Sequence, residues 1–477
     1  MIAAMTDAAA DAPNLPEQIP ALTPAGAGHQ FVFYGDACSG VPGAPHEATF
    51  ASVNAVVARL SPAPEFIVFP GDEVIGLTSD EAALRAQWRY WHEVEMAWLD
   101  RQAVPLYHCT SNHTTYDAMS ERVFAEVLAH LPRNGPPGQD GLSYFVRRGD
   151  LLLVFVHTCW SGLGGEGQVE TAWLQETLDR HGDARFKFVV GHHPVFPVNG
   201  FAGRQQRQIA PEQAQAFWRI LIEHDVVAYL CSHILAFDVQ VHDGVLQLLS
   251  AGAGTAHRMP AEAEYLHCVQ AALDDRGLRY QVLDPAGQVR ERLSWPFDLP
   301  PSATWTPLNA EAQAAAVHGE LAADDDAPPL LAWQFVGHTD AGPAGPAQTL
   351  LAAWDEGPAL APLWIGLTGP RRRLTVILTP WAGNSPHYWF GPGLAENAAF
   401  DLQLAVHAGM GPGGLMWRSG DGASWSSLEA ASAWGAETLT WPACWSIGCD
   451  KGGAADKPFL GHDLSVAVLA PNGSVRP

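Results

Sequence analysis

Lysine is nearly missing. Lys187, Lys451 and Lys457 are the only three in 477 residues, and 26 basic side chains face 51 acidic ones for a formal net charge of −25. Such an acidic chain repels phosphate backbones and anionic headgroups, so neither nucleic acid nor a membrane surface is an expected partner. Scarce lysine beside abundant alanine points to a GC-rich, bacterial genome. No apolar run approaches the roughly 20 residues that span a bilayer. The opening MIAAMTDAAADAPNLPEQ lacks a basic segment and an apolar core and carries Asp7, Asp11 and Glu17, unlike a secretory signal; a cytoplasmic address is expected. The seven cysteines are scattered, with no zinc-knuckle spacing and no disulfide framework. Low charge density (16%) alongside 47% hydrophobic residues excludes wholesale disorder.

What is present is long enough for two or three domains. Residues 1–28 are Ala/Pro-rich and read as an unstructured leader. From 29 to 295, short apolar runs alternate with amphipathic stretches. The runs are FVFY (31–34), FIVF (66–69), VPLYH (104–108), LLLVFVH (151–157), FKFVV (186–190) and VVAYL (226–230). Helical periodicity is predicted over Glu47–Leu60, Ser79–Leu99, Ala118–Leu131, Gln168–Arg180 and Pro211–His224. Strands alternating with helices predict an α/β domain, and fully apolar strands predict sheets covered on both faces. Close-set runs after VVAYL, with turn pairs such as Asp243-Gly244, predict an antiparallel tail to that domain. Residues 296–330 read as a linker. Over 331–477 the runs LAWQFVG, PLWIGLTG, RLTVILTPW, FDLQLAVHAG and LSVAVLAP recur at all-β spacing, predicting a β-sandwich of jelly-roll or concanavalin-like type.

Five of the α/β strands run into polar groups: Gly35-Asp36-Ala37-Cys38, Gly71-Asp72-Glu73, Ser111-Asn112-His113, Gly191-His192-His193-Pro194 and Ser232-His233. Ligands of α/β proteins bind beyond the C-terminal ends of strands, so these groups are expected to converge. Carboxylates, an amide oxygen and imidazoles form an O/N donor set suited to Zn, Mn or Fe, and no glycine-rich phosphate loop accompanies them.

This ordered series resembles the calcineurin-like metallophosphoesterase superfamily, which includes purple acid phosphatases and serine/threonine phosphoprotein phosphatases. The family series runs Asp-x-His (or Gly-Asp), then Gly-Asp, Gly-Asn-His, Gly-His-x-Pro and Gly-His-x-His, each just after a strand. The resemblance covers residues 29–295 and implies an α/β/β/α sandwich. It also implies two metal ions and hydrolysis of a small-molecule phosphomonoester or phosphodiester by a metal-bound hydroxide. Carried over position by position, it implies that Asp72 bridges both ions at the catalytic centre and that Asn112, His192 and His233 complete the second ion's shell. Asp36 would bind the first ion. His113 would stand near the substrate as a catalytic residue, stabilising phosphoryl charge or protonating the leaving group.

The chain departs from the family at the first ion. Leu235 stands where the last motif has its second histidine, Ile75 where purple acid phosphatases have a tyrosine, and Cys38 where phosphoprotein phosphatases have a histidine. The first shell is thereby reduced to Asp36, Asp72 and Cys38. Cys38 reads either as a thiolate ligand or as a small buried side chain that packs and binds nothing. His46, His157 and Asp238 are further candidates to refill that site. Two family glycines are serines, Ser111 and Ser232; where the backbone needs a positive φ, that exchange costs about 1 kcal/mol.

The depleted site leaves two other readings open: a non-catalytic binding or scaffold protein on a phosphatase fold, and a phosphonate or phosphotriester hydrolase. His29, His92, His108, His224, His242 and His267 read as ordinary structural histidines. His193 can face the pocket or away from it. Arg204, Arg207 and Arg258 are placed to meet a phosphate oxygen or to sit in solvated loops. Beyond residue 330, Trp381, Trp389, Trp417, Trp425, Trp441 and Trp445 read first as core and interface rings. The competing reading is a carbohydrate contact through the C-terminal domain.

Overall fold

The computed structural model describes residues 15–201, 208–254, 264–296, 299–308, 330–342, 345–354, 363–379, 386–407, 415–431, 444–451 and 456–469. Two six-stranded sheets form the first domain. One runs in the order Val289–Trp295, Gly277–Leu283, Cys268–Asp274, His29–Phe33, Phe66–Phe69 and Leu106–His108. The other runs Phe237–His242, Val245–Ser250, Ala228–Cys231, Phe186–Val190, Leu151–Phe155 and Tyr144–Arg148. The strands that lead into the polar groups are parallel to their neighbours from that set, which puts those groups at one edge of each sheet.

Why the strands are apolar throughout follows from the period-2 alternation of side chains. Leu151, Leu153 and Phe155 share one core with Phe31, Phe33 and Phe66 of the opposite sheet. The intervening Leu152 and Val154 pack instead with Leu174 and Leu178 of the helix Thr171–Arg180 and with Phe217 and Leu221 of Pro211–Glu223. Phe31 ties the sheets together, stacked on Phe66 at 5.2 Å and edge-on to Phe188 at 5.7 Å. On the outer face of the first sheet, Phe50 of the helix Pro45–Val57 and Trp91 meet Phe69 at 6.2 and 5.7 Å. The predicted α/β layering is therefore present. Among the described residues, no helix is long and apolar enough to cross a membrane.

The stretch read as an unstructured leader differs from that expectation in its second half. Ile19–Pro20 pairs in parallel with Leu60–Ser61, Ile19 is buried, and Leu22 N–H donates to Gln270 Oε1 at 2.8 Å. The stretch read as a linker likewise contributes Thr306–Leu308, an edge strand paired antiparallel with Gly461–Leu469. Arg204, Arg207, Arg258, Trp381 and Trp441 lie outside the described residues.

Among the described residues the C-terminal domain is all β, two six-stranded antiparallel sheets facing each other. Trp333, Phe335, Leu350, Ile365, Trp389, Leu404 and Trp445 fill the space between them, so Trp389 and Trp445 are core rings. Trp425 packs with the first domain's core. The sandwich docks on the hairpin 237–250: Gly244 N–H donates to Trp425 O at 2.9 Å and Val241 N–H to Ser427 Oγ at 2.9 Å. Asn199, in the loop following His192-His193, bonds the sandwich backbone at both ends of its amide, Nδ2 to Leu428 O at 3.0 Å and Oδ1 from Ala430 N–H at 2.8 Å.

Candidate metal centre

The five strand ends do converge, and the backbone there is unusual. Asp36, Cys38, Asp72 and His233 have φ of 64°, 42°, 58° and 74°, in the left-handed region that costs a non-glycine residue about 1–2 kcal/mol each. Such strain persists only where the surroundings over-determine it, and it gathers at functional sites. Neither Ser111 nor Ser232 has a positive φ, so the serines carry no such cost. Their hydroxyls are used instead. Ser111 Oγ accepts from Asp72 N–H at 2.9 Å, and Ser232 Oγ donates to Asp36 Oδ2.

His192 is fully buried, and its Nδ1 donates to Pro70 O at 2.9 Å. In the neutral ring that bond leaves the Nε2 lone pair facing inward. Around Nε2 lie Asn112 Oδ1 at 2.9 Å, His233 Nδ1 at 3.0 Å and Asp72 Oδ1 at 3.4 Å. His233 Nδ1 is also 3.0 Å from Asn112 Oδ1. The four residues carried over for the second ion are thus brought together.

Asp72 Oδ1 also accepts from His113 N–H at 3.2 Å, and the other oxygen meets different side chains. Oδ2 lies 3.9 Å from Cys38 Sγ and 3.8 Å from His113 Nε2, and Cys38, Asp72 and His113 form a second group of donors close enough to share an ion. His113 Nδ1 donates to Ile75 O at 2.6 Å, which turns Nε2 toward Asp72, while its side chain keeps 25% of its surface exposed. The ring therefore stands at the rim of the site.

Asp36 joins two of the strand ends. Its Oδ2 accepts from Ser232 Oγ and, at 2.9 Å, from His233 N–H, tying two strand ends together, and it belongs to none of the converging donor groups. His46, His157 and Asp238 also stand outside those groups. His157 is bonded to Thr110 and Asp238 to the backbone of Asn199. Leu235 packs in the apolar layer under the second sheet.

Glu166 carried no sequence signal beyond being one acidic residue in a glycine-rich loop. It lies 3.3 Å from His193 Nε2 and 4.0 Å from His233 Nε2, making a third donor group. His193 is buried, with Thr158 Oγ1 at 2.8 Å from Nδ1, so it faces the site. The histidines read as structural have structural partners: His29 joins Glu65 and Asp150, His108 joins Glu73, and His267 joins Ser250 and Tyr265.

Electrostatics favour a cation here. Burial works against charge on Asp72, yet the imidazoles of His192, His113 and His233 hold its carboxyl well below the usual range. Burial also opposes a proton on His192, but Asp72 and Asp36 outweigh it and raise its pKa to about 9. Burial and the Asp72 charge push Asp36 up to about 7. Two carboxylates in a buried space lined by imidazoles draw positive charge, and the O, N and S donors match a transition-metal dication.

No protein-family model matches the chain, and no curated protein matches it. Among solved structures, 84 chains match. One is GAP50, the anchor in the inner membrane complex of Plasmodium (14% identity, 56% of this chain and 88% of that one, TM-score 0.38). Another is purple acid phosphatase PPD1 of yellow lupin seeds (12% identity, 57% of this chain, TM-score 0.43), of which this chain spans only 55%. A third is Vps29 from Entamoeba histolytica complexed with zinc (11% identity, 56% and 98% coverage, TM-score 0.27). Identity and superposition are low in each case, so what the site can do follows from its own side chains.

Proposed function

We propose that this chain is a metal-dependent hydrolase of phosphate esters, acting on small-molecule phosphomonoesters or phosphodiesters. The observation that carries the reading is the posture of Asp72. Oδ1 lies 3.4 Å from His192 Nε2, in the donor group that Asp72 makes with His192 and His233, and Oδ2 lies against Cys38 Sγ and His113 Nε2, as a carboxylate does when it joins two ion sites. The donors fit: the Asp72, His192 and His233 donor atoms lie within 4.8 Å of one another, with Asn112 Oδ1 at 2.9 and 3.0 Å from the two ring nitrogens. Divalent ions bound there supply Lewis acidity toward phosphoryl oxygens and a water made acidic enough to attack phosphorus.

The chain's own residues do the rest. Pro70 O and Ile75 O fix the ring orientations of His192 and His113. His113, at the exposed rim, is placed to meet a phosphoryl or leaving-group oxygen. The charge of −25 favours a small substrate over a polynucleotide. Loading with Mn²⁺, Fe²⁺ or Zn²⁺ and assaying 4-nitrophenyl phosphate and its bis-ester tests the proposal. Turnover abolished by Asp72→Asn and by His192→Ala is expected; turnover that survives either substitution overturns it. His113→Gln separates two roles, because a catalytic His113 loses turnover with all ions retained, whereas a ligand His113 loses an ion as well.

A specific observation favours a second reading, a binding protein with one ion or none. Asp36 is engaged by Ser232 and His233 of its own chain, and position 235 is leucine. Absence of turnover on mono-, di- and triesters at every metal loading would select it.

A further inference from the structure

We propose that the C-terminal sandwich holds a metal site of its own, formed by His338, Asp340 and His462 and suited to zinc or a similar transition-metal dication. Nothing in the phosphoesterase reading requires it, and it shares no residue with the Asp72 centre.

The strands that build it are Leu330–Thr339 and Gly461–Leu469, antiparallel neighbours. From Ala332 to Val336 the pairing runs Ala332↔Leu469 through Val336↔Ser465, a register that would set His338 opposite Asp463. The register shifts by one residue between Val336 and His338, and His338 comes opposite His462 instead. A bulge of this kind re-aims side chains, and directly opposed residues of an antiparallel pair project to the same face. Asp340 lies two residues beyond His338 along the same chain, which returns it to that face. Gly461, beside His462, permits the close approach, since a Cβ there would stand 2.1 Å from His338 O.

The three side chains are already gathered. The two imidazole rings lie 4.5 Å apart at 56°, and one donor atom from each of the three residues falls within 4.8 Å of the others. Donors around a tetrahedral zinc ion stand about 3.4 Å apart, within reach of small side-chain rotations at this exposed end of the sheet. Among the described residues His338 Nδ1 is shielded from water yet has no hydrogen-bond partner, with Asp340 Oδ1 at 3.9 Å. A polar nitrogen desolvated without a partner is costly, and an ion between it and Asp340 would satisfy both. Asp463 Oδ2, 3.8 Å from His462 Nδ1, adds local negative charge. Two imidazoles with one carboxylate select zinc, nickel or copper over magnesium or calcium, and an open fourth position is left for water.

The test saturates the full chain with Zn²⁺, desalts it and counts zinc by elemental analysis. His462→Ala and His338→Ala are each expected to hold one zinc fewer per chain than wild type, while Asp72→Asn keeps that ion. With Co²⁺ as the probe, the visible absorption of a tetrahedral site is expected in Asp72→Asn and lost on adding His462→Ala. Unchanged zinc content in both histidine variants, or cobalt absorption indifferent to His462, overturns the proposal. His462 is largely exposed, so its removal reads out binding rather than folding. Failure here leaves the Asp72 centre untouched, because the two sites lose ions to different substitutions.

Discussion

Asn199→Ala tests how the sandwich is joined to the loop that follows His192-His193. The Asn199 amide donates to Leu428 O and accepts from Ala430 N–H, at 3.0 and 2.8 Å, and all three residues are buried. Alanine removes both bonds and leaves a buried carbonyl and a buried N–H unpaired, at about 1–3 kcal/mol apiece. Water entering the vacated amide space recovers part of that, so the expected loss is roughly 2–4 kcal/mol. Asn199 N–H itself bonds Asp238 Oδ1 at 3.2 Å and is unaffected, which confines the change to the domain contact. The assay is urea unfolding followed by tryptophan fluorescence, with amide exchange at Ala430 as the local readout. Exchange there should accelerate by about tenfold for each 1.4 kcal/mol lost by the contact. A variant within 0.5 kcal/mol of wild type, with Ala430 exchange unchanged, refutes docking through this loop.

Two further outcomes follow from particular residues. Gly71 has φ of 106°, and an added Cβ would meet Ser111 Cβ at 2.6 Å and His192 Nδ1 at 2.8 Å. Gly71→Ala is therefore expected to lower stability by about 1–2 kcal/mol or more and to weaken ion binding by unseating His192; unchanged melting and ion content would count against the geometry. Burial lowers the pKa of His267 from 6.5 to about 4, although the bond to Tyr265 O works the other way. The unfolded chain takes up a proton below its ordinary pKa while the folded ring refuses it, so this contribution is present at neutral pH. It falls away as pH drops from 6.5 toward 4, by about 3 kcal/mol in all. Urea titrations at several pH values should show a shallower acid loss in His267→Asn; parallel curves for the two proteins would show that His267 does not report burial.

The fold of the first domain was legible because its strands are buried on both faces. LLLVF and FKFVV could only be covered strands, and their polar ends marked one edge. Asp72, Asn112, His192 and His233 were visible for the same reason, each lying a residue or a few past an apolar run. Tyr144–Arg148 was not visible, because only Tyr144 is buried and YFVRR has no clear period. Ile19–Pro20 and Thr306–Leu308 are strands only through partners far along the chain, at Leu60–Ser61 and Val466–Val468, which no local pattern encodes. The same holds for Glu166, whose role depends on where a loop folds back, and for Asp36, whose carboxylate is claimed by a serine 196 positions away. The His338–His462 pairing depends on a one-residue register shift that neither strand announces alone.

Whether Asp72 joins two ion sites is read from the number of metal ions per chain lost on substituting it. Wild type, Asp72→Asn and His192→Ala are saturated with Mn²⁺ or Zn²⁺, desalted and analysed for metal. Two ions fewer are expected in Asp72→Asn and one fewer in His192→Ala. Equal losses of a single ion, or no loss in Asp72→Asn, would contradict a bridging Asp72.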